Sequence, residues 1–198
     1  MALMKNLVIV AGIAFDATAD ALWGKAETLL AVPGAQLRLC HVVGREALKA
    51  ETSEKSLVDD ALARLFAWTL AKLGNDAKNP LGARLHLEVA IGQPADEIVQ
   101  FAVDYSADLI LVGTHARKGV AKLVLGSVAE EVLHKSPCGV LIACPDDFEG
   151  RAKTPEVAPA SGGPHSFRPH APRYHSSVVF SGYDAALFPT GISRKDVH

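Results

Sequence analysis

The sequence is poor in features that define several large classes of protein. It has three cysteines in 198 residues, at Cys40, Cys138 and Cys144, and no two of them form a C-x-x-C pair. This spacing favours neither a zinc site nor a disulfide framework, and it suits a reducing cytoplasm. No apolar stretch approaches the roughly 20 residues that a membrane-spanning helix needs. We therefore expect a cytoplasmic protein that does not cross a membrane.

An excess of charge of one sign is also missing. Lysine and arginine together number 20, against 22 aspartates and glutamates, so the formal net charge is −2. Binding to nucleic acid or to an anionic membrane is favoured by a basic excess. We expect neither as a partner. Apolar residues make up 49% of the chain, which is enough to supply a hydrophobic core.

Apolar runs and helical periodicities alternate through residues 1–145. The segments 7–12, 107–113 and 138–144 are continuous apolar runs, typical of strands buried in a parallel sheet. The segments 36–43 and 84–91 alternate along the chain as strands do. The alternation predicts one doubly wound α/β domain, with a five-stranded parallel sheet and helices on both faces. Ligands bind such sheets at the carboxyl ends of the strands. The candidate site loops are therefore 12–16 and 113–126.

The composition changes at about Asp146. Residues 146–198 are rich in proline, glycine, serine and histidine, and their apolar residues cluster only at 178–180 and 185–188. Such a segment buries too little surface to order itself, so we predict a disordered tail. The alternative is that the two apolar patches dock on the domain or on a partner. The tail histidines are irregularly spaced, and we assign them no metal.

The loop after the fourth strand has the composition of an anion site. Gly113 and Gly119 permit tight turns that direct backbone N–H groups at an anion. Gly126 and Ser127 open a helix whose first N–H groups attract phosphate. Ser127 and Glu130 have the spacing of a capping box. By composition alone, an ordinary strand-to-helix connection explains the same residues.

Residues 107–144 resemble the C-terminal half of the universal stress protein family. The nucleotide-binding members of that family carry G-x-x-G, nine residues and then G-S or G-T. Gly113, Ala116 and Gly126-Ser127 have the same spacing. The turn I-G-Q-P-A at 91–95 resembles the family's G-x-P turn. The segment L-C-H-V-V at 39–43 resembles the family's second strand. The resemblance covers about the first 145 residues and does not include the tail.

The resemblance implies an adenine-nucleotide alpha-hydrolase-like fold with sheet order 3-2-1-4-5, and a regulatory function in the stress response. It also implies a homodimer. We expect the fifth strand to form the dimer contact, because an apolar strand would otherwise be an exposed sheet edge. In one subgroup of the family the resemblance implies bound ATP, with magnesium accompanying it. The backbone at Val42 would then meet adenine, and the ribose and phosphates would be surrounded by Gly113, His115, Ala116, Gly126, Ser127 and Val128.

Two positions depart from the family's pattern. The aspartate that usually follows the first strand is replaced by Ala14, with Asp16 two residues later, and the second glycine of G-x-x-G is Ala116. These departures favour a second interpretation, a protein-interaction module of the same fold that binds no nucleotide. A third interpretation is a slow ATPase that uses His115. The sequence displays no nucleophile with a neighbouring base and no metal-ligand set, so we predict no enzyme activity and no catalytic residue.

Overall fold

Residues 6–48, 53–74, 79, 81–114, 125–144 and 175–179 are the part of the chain that the computed structural model describes. Strands and helices alternate along them as the apolar periodicity predicts. The elements are β1 (Val8–Gly12), α1 (Ala19–Leu30), β2 (Gln36–Val43), α2 (Glu54–Lys72), β3 (Leu85–Ile91), α3 (Pro94–Asp104), β4 (Leu109–Gly113), α4 (Ser127–Lys135), β5 (Gly139–Ala143) and β6 (His175–Val179).

Five of the strands form a parallel sheet in the order β3-β2-β1-β4-β5. This confirms the predicted doubly wound sheet and its strand order. The chain passes from β1 to β2 and β3 on one side of β1, and β4 and β5 lie on the other side. Gly12, at the carboxyl end of β1, lies opposite Cys40 of β2 and Val112 of β4. A crevice for ligands is expected where the strand order reverses in this way.

The two faces of the sheet carry separate hydrophobic clusters. Alternate residues of a strand point to opposite faces, and in β1 Ile9 packs in one cluster while Val10 packs in the other. Helices α1 and α2 cover the first face, where the rings of Trp23 and Trp68 meet edge to face at 5.6 Å. Helices α3 and α4 cover the second face. Within the described residues, no helix combines the length and the apolar character needed to cross a membrane.

Strand β6 departs from the expectation of a disordered tail. It pairs antiparallel with the outer edge of β3, from His86 opposite Val179 to Ala90 opposite His175. The sheet of the described residues therefore has a sixth strand that the sequence analysis does not predict. The other tail residues lie outside the described part of the chain. Disorder there, and the domain boundary at about residue 145, stay predictions.

Candidate functional site

A pocket of about 270 Å³ opens at the carboxyl ends of β1, β2 and β4. Its walls come from the loop after β1, the end of β2, the start of α3, the end of β4 and the first turn of α4. Both loops predicted as site candidates contribute residues to it. The side chains of Ile13, Ile98 and Val112 give it apolar walls. Its size is near the lower end of small-molecule sites, roughly 300 Å³.

The end of β2 presents backbone groups to this pocket. Ile13 N–H donates to Cys40 C=O at 2.8 Å, so the backbone of Cys40 faces β1. Backbone groups alternate in direction along a strand, and those of Val42 therefore face the same side. The ladder with β1 ends at the pair Gly12 and Cys40, so no residue of β1 lies opposite Val42. The N–H and C=O of Val42 point towards the pocket as a donor and an acceptor side by side.

His41 occupies the backbone carbonyl that the N–H of Val42 would otherwise use. Its Nδ1 lies 2.9 Å from the carbonyl of Ile13, and since a carbonyl only accepts, Nδ1 carries the proton. A continuing parallel ladder would offer this same carbonyl to the N–H of Val42. Burial lowers the pKa of His41 below its ordinary value of 6.5, and the positive charge of Arg64 lowers it further. The hydrogen bond to Ile13 acts in the opposite direction but does not cancel the lowering. His41 is therefore a neutral imidazole at pH 7.

The first turn of α4 supplies a second set of donors. Gly126 is the N-cap, with extended backbone, and no side chain caps the helix. The predicted capping box is wrong, because Ser127 is the first helical residue and not the N-cap. Glu130 N–H is the first to donate within the helix, to Gly126 C=O at 3.0 Å. The N–H groups of Ser127, Val128 and Ala129 precede it, and all three residues line the pocket.

The connection from β4 to this helix is braced by Thr114. This residue is buried, and its N–H donates to Ala143 C=O at 3.0 Å. Its hydroxyl accepts a hydrogen bond of 3.4 Å from Gly126 N–H. These contacts hold the start of α4 against the ends of β4 and β5. The direction of the helix N-terminus, and with it the positive end of the helix dipole, is thereby fixed at the pocket.

Gly113 has a packing role that is independent of any ligand. A Cβ built on Gly113 would lie 2.6 Å from Thr18 Oγ1 and 2.8 Å from Thr18 Cβ. The loop composition predicts a tight turn at Gly113, but among the described glycines a positive φ occurs at Gly34 and Gly74 instead. Gly113 is needed because the start of α1 approaches the end of β4 too closely for a side chain.

Asp16 brings a carboxylate into the pocket. Its Oδ1 accepts hydrogen bonds from Thr18 N–H at 2.8 Å and from Thr18 Oγ1 at 2.7 Å, which fixes the start of α1. Ala14 also lines the pocket and contributes no polar side chain. Among the described lining residues, Asp16 is the only one with an acidic side chain. The loop after β1 therefore carries its negative charge two residues later than the family pattern has it.

Residues 6–143 match the family model described as the universal stress protein family. The chain belongs to this family. A universal stress protein of Methanocaldococcus jannaschii is 46% identical over 61 residues, which are 31% of this chain and 36% of that protein. A putative universal stress protein of Staphylococcus epidermidis is 28% identical over 167 residues, covering 77% of this chain and 94% of that protein.

Solved universal stress proteins have the same fold. The UspA protein of Lactobacillus plantarum superposes with a TM-score of 0.55 at 20% identity, over 71% of this chain and 99% of its own. A universal stress protein solved in complex with cAMP superposes with a TM-score of 0.51 at 21% identity, over 69% of this chain and 96% of its own. The family match ends at residue 143, the last residue of β5.

The universal stress protein fold brings five of the seven predicted site residues to one pocket: Val42, Gly113, Gly126, Ser127 and Val128. The other two, His115 and Ala116, lie outside the described residues. Seven further lining residues lie outside the predicted site residues and the two candidate loops: Thr18, Cys40, His41, Pro94, Ile98, Val112 and Ala129. Cys40 and His41 stand near the end of a predicted parallel strand, and that position is the signal that could have found them.

Cys40 lies in the pocket wall as an inert thiol. Its Sγ donates to Ala11 C=O at 3.2 Å, and its side chain is buried. Burial, together with the negative charge of Glu88, raises the pKa of the Cys40 thiol far above its ordinary value. A thiol in this state is neither a nucleophile nor a metal ligand. Within the described residues, no group of three or more potential metal ligands occurs.

Proposed function

We propose that this chain is a cytoplasmic regulatory module of the stress response that binds ATP or a related adenine nucleotide without turnover. The observation that carries the proposal is that two sets of backbone groups face one pocket. Val42 offers an adjacent N–H and C=O at one side, and the first turn of α4 offers unpaired N–H groups at another. A base and a phosphate group need these two kinds of partner.

The adenine ring would lie against the end of β2. Its amino group and a neighbouring ring nitrogen form a donor and an acceptor side by side, which match the C=O and N–H of Val42. The side chains of Ile13, Ile98 and Val112 would cover the faces of the ring. Neutral His41 would stand beside this position, with its Nδ1 proton committed to Ile13.

The phosphates would lie at the N-terminus of α4. The N–H groups of Ser127, Val128 and Ala129 are donors without an acceptor inside the helix, and the helix dipole favours an anion there. Asp16 is the described carboxylate that would contact the ribose hydroxyls, in place of the aspartate that Ala14 replaces. Magnesium would arrive on the triphosphate, because the described pocket residues form no metal-ligand cluster.

We also propose a homodimer formed through β5. This strand is the outer strand on its side of the sheet, and on that side no described strand pairs with it. Its apolar residues Leu141 and Ile142 are only half-buried. An apolar strand with an open edge is a surface for pairing with another chain. A second copy of this chain would cover both the edge and the two side chains.

A protein-interaction module without a nucleotide is the second candidate function. The observation that favours it is Ala14, which lines the pocket where the family pattern has an aspartate. A carboxylate hydrogen bond is worth roughly 1.5–3 kcal/mol, and its loss would weaken nucleotide binding by a factor of about 10 to 150. Under this candidate the pocket stays without a nucleotide, and the function lies in the contact with an unknown protein partner.

Isothermal titration of the full-length protein with magnesium and ATP tests the proposal. Nucleotide carried through purification is first measured in an acid extract. We expect micromolar binding of ATP, weaker binding of adenosine because it lacks phosphate, and still weaker binding of GTP because its base edge mismatches Val42. Absence of binding at millimolar ATP, with no nucleotide in the extract, would refute the proposal and leave the interaction module.

A further inference from the structure

Strand β6 occupies an edge that the family domain leaves open. In the five parallel strands, β3 is the outer strand on its side, and the family match ends at residue 143. Strand β6 comes from beyond that match and pairs with β3 over five residues, with Ser177 opposite Glu88 at its centre. The partner of the β3 edge is therefore an extended segment of the chain's own tail, which recognises β3 through backbone pairing.

The connection to this strand is longer than the distance that it has to cover. Strand β5 ends at Ala143 on one side of the sheet, and β6 begins at His175 on the opposite side. Neighbouring strands lie about 4.8 Å apart, so crossing the sheet takes roughly 24 Å. A chain of the length of residues 144–174 can span about 100 Å when extended. The tail strand can therefore reach β3 of its own chain or β3 of another copy.

Strand β3 carries an inward-pointing charged residue, a feature that is typical of edge strands. Glu88 is fully buried on its inward face, where Oε1 accepts a 2.7 Å hydrogen bond from Arg38 Nη1. The guanidinium of Arg38 also lies over the ring of Tyr105, at 3.5 Å from its centroid. An inward-pointing charge is one of the devices by which proteins prevent uncontrolled pairing at a sheet edge.

We propose that the β3 edge is an exchangeable acceptor for an extended strand, and that its second occupant is residues 175–179 of another copy of this chain. A tail from a second copy has the same sequence, so it makes the same ladder with β3. The intramolecular strand is favoured by an effective concentration of the order of millimolar. Exchange between copies therefore rises with protein concentration, as in other strand-swapped assemblies.

Two double variants of the full-length protein distinguish the contribution of backbone pairing from that of the β6 side chains. Replacing Ser176→Pro together with Ser177→Pro removes two consecutive N–H groups of β6. Because alternate N–H groups of a strand face its partner, one of the two belongs to the ladder with β3. The matched control, Ser176→Ala with Ser177→Ala, changes the same side chains and keeps both N–H groups.

The probe is a fluorescent peptide of residues 172–182, which represents the tail of a second copy. We expect the proline variant to bind this peptide at least about tenfold more tightly than the wild type or the alanine control, because its own strand no longer competes. A peptide carrying the same two prolines should not bind. Equal binding of the first peptide by all three proteins, or no binding by the proline variant, overturns the proposal.

Hydrogen exchange shows whether the proline variant stays folded and which edge has opened. Half of the β3 amides face β6 and the other half face β2. In the proline variant we expect only the first half to lose protection, and the peptide should restore it. Unchanged protection throughout β3 would overturn the proposal. Native mass spectrometry is then run on the proline variant mixed with wild type, with Ile142→Glu in both proteins to remove the proposed β5 contact. A mixed complex should form and grow with concentration, and its absence at every concentration overturns exchange between copies.

Discussion

The guanidinium of Arg38 on β2 donates a 2.7 Å hydrogen bond to the buried carboxylate of Glu88 on β3. Arg38 keeps 18% of its side chain exposed, whereas Glu88 has no exposure. Burying a carboxylate is costly unless it is paired, so the two strands depend on both partners being present. The pair also marks the half of the sheet that receives the tail strand.

Arg38→Met should destabilise the protein by roughly 3 kcal/mol, because it leaves the charge of Glu88 buried without this partner. The double variant Arg38→Met with Glu88→Leu should recover stability to within about 1 kcal/mol of the wild type. Urea unfolding followed by circular dichroism measures both. Equal loss of stability in the single and double variants would contradict this account of the pair.

Gly113→Ala should cost about 1–3 kcal/mol of unfolding free energy, because its Cβ would meet the hydroxyl and the Cβ of Thr18. Gly24→Ala is the control, since Gly24 lies inside α1, a Cβ there meets nothing within 4 Å, and a helix interior favours alanine over glycine. Thermal unfolding of both variants makes the comparison. If the two substitutions cost the same, the close approach of Thr18 is not the reason for Gly113.

Ser127→Pro should weaken ATP binding about 10-fold or more while leaving adenosine binding unchanged. Proline is tolerated at the first position of a helix, so the substitution removes one N–H donor without breaking α4. A hydrogen bond to a charged group is worth roughly 1.5–3 kcal/mol, which sets this factor. Titration calorimetry with both ligands makes the test.

Glu54→Pro is the control for that measurement, because Glu54 is the first residue of α2 and does not line the pocket. It should leave the affinity for ATP at the wild-type value. An equal loss of ATP affinity in both proline variants, or a loss of adenosine binding in Ser127→Pro, would argue against a phosphate at the start of α4.

Stability should fall as the pH drops below about 6.5, and His41 should account for part of the slope. Burial keeps the pKa of His41 lower in the folded than in the unfolded state. Between these two values the unfolded chain binds more protons, so acid favours unfolding until the folded-state pKa is passed. Burial likewise lowers the pKa of His86, with a further contribution from the charge of Arg38.

Urea unfolding between about pH 7.5 and pH 5.5 measures this slope, which is at most about 1.4 kcal/mol per pH unit for each group. His41→Gln keeps a donor for the carbonyl of Ile13 and should reduce the slope. His86→Gln should reduce it further in the double variant. A slope that is the same in wild type and His41→Gln would show that His41 is not the titrating group.

Ile142→Glu should convert the proposed dimer into a monomer, because it would place a charge on the half-buried face of β5 in the contact. Val32→Glu is the control, since Val32 is 44% exposed and lies outside β5. Light scattering at micromolar concentration gives the masses. A wild-type monomer, or a dimer in both variants, would contradict a contact through β5.

The apolar periodicity predicts the five parallel strands and the position of the pocket, because both depend on patterns that are local in the chain. Strands buried on both faces read as continuous apolar runs, and the runs alternate with helices. The glycine spacing from Gly113 to Gly126 predicts the family in the same way. These features need no knowledge of which residues meet in space.

The capping box and the role of Gly113 show the limit of local patterns. Ser127 and Glu130 have the right spacing, but the helix starts one residue too early for Ser127 to be its N-cap. The need for glycine at position 113 depends on Thr18, which is distant in sequence and comes close only because α1 packs beside β4. Neither result follows from composition or spacing.

The sequence by itself determined the fold class, the strand order through the family resemblance, and five lining residues of the pocket. Only the tertiary structure decided that the β1 ladder ends before it reaches Val42, that His41 takes the carbonyl of Ile13, and that residues 175–179 pair with β3. The physical reason is that hydrogen bonds between distant segments depend on register, and register is decided by how whole strands pack against each other.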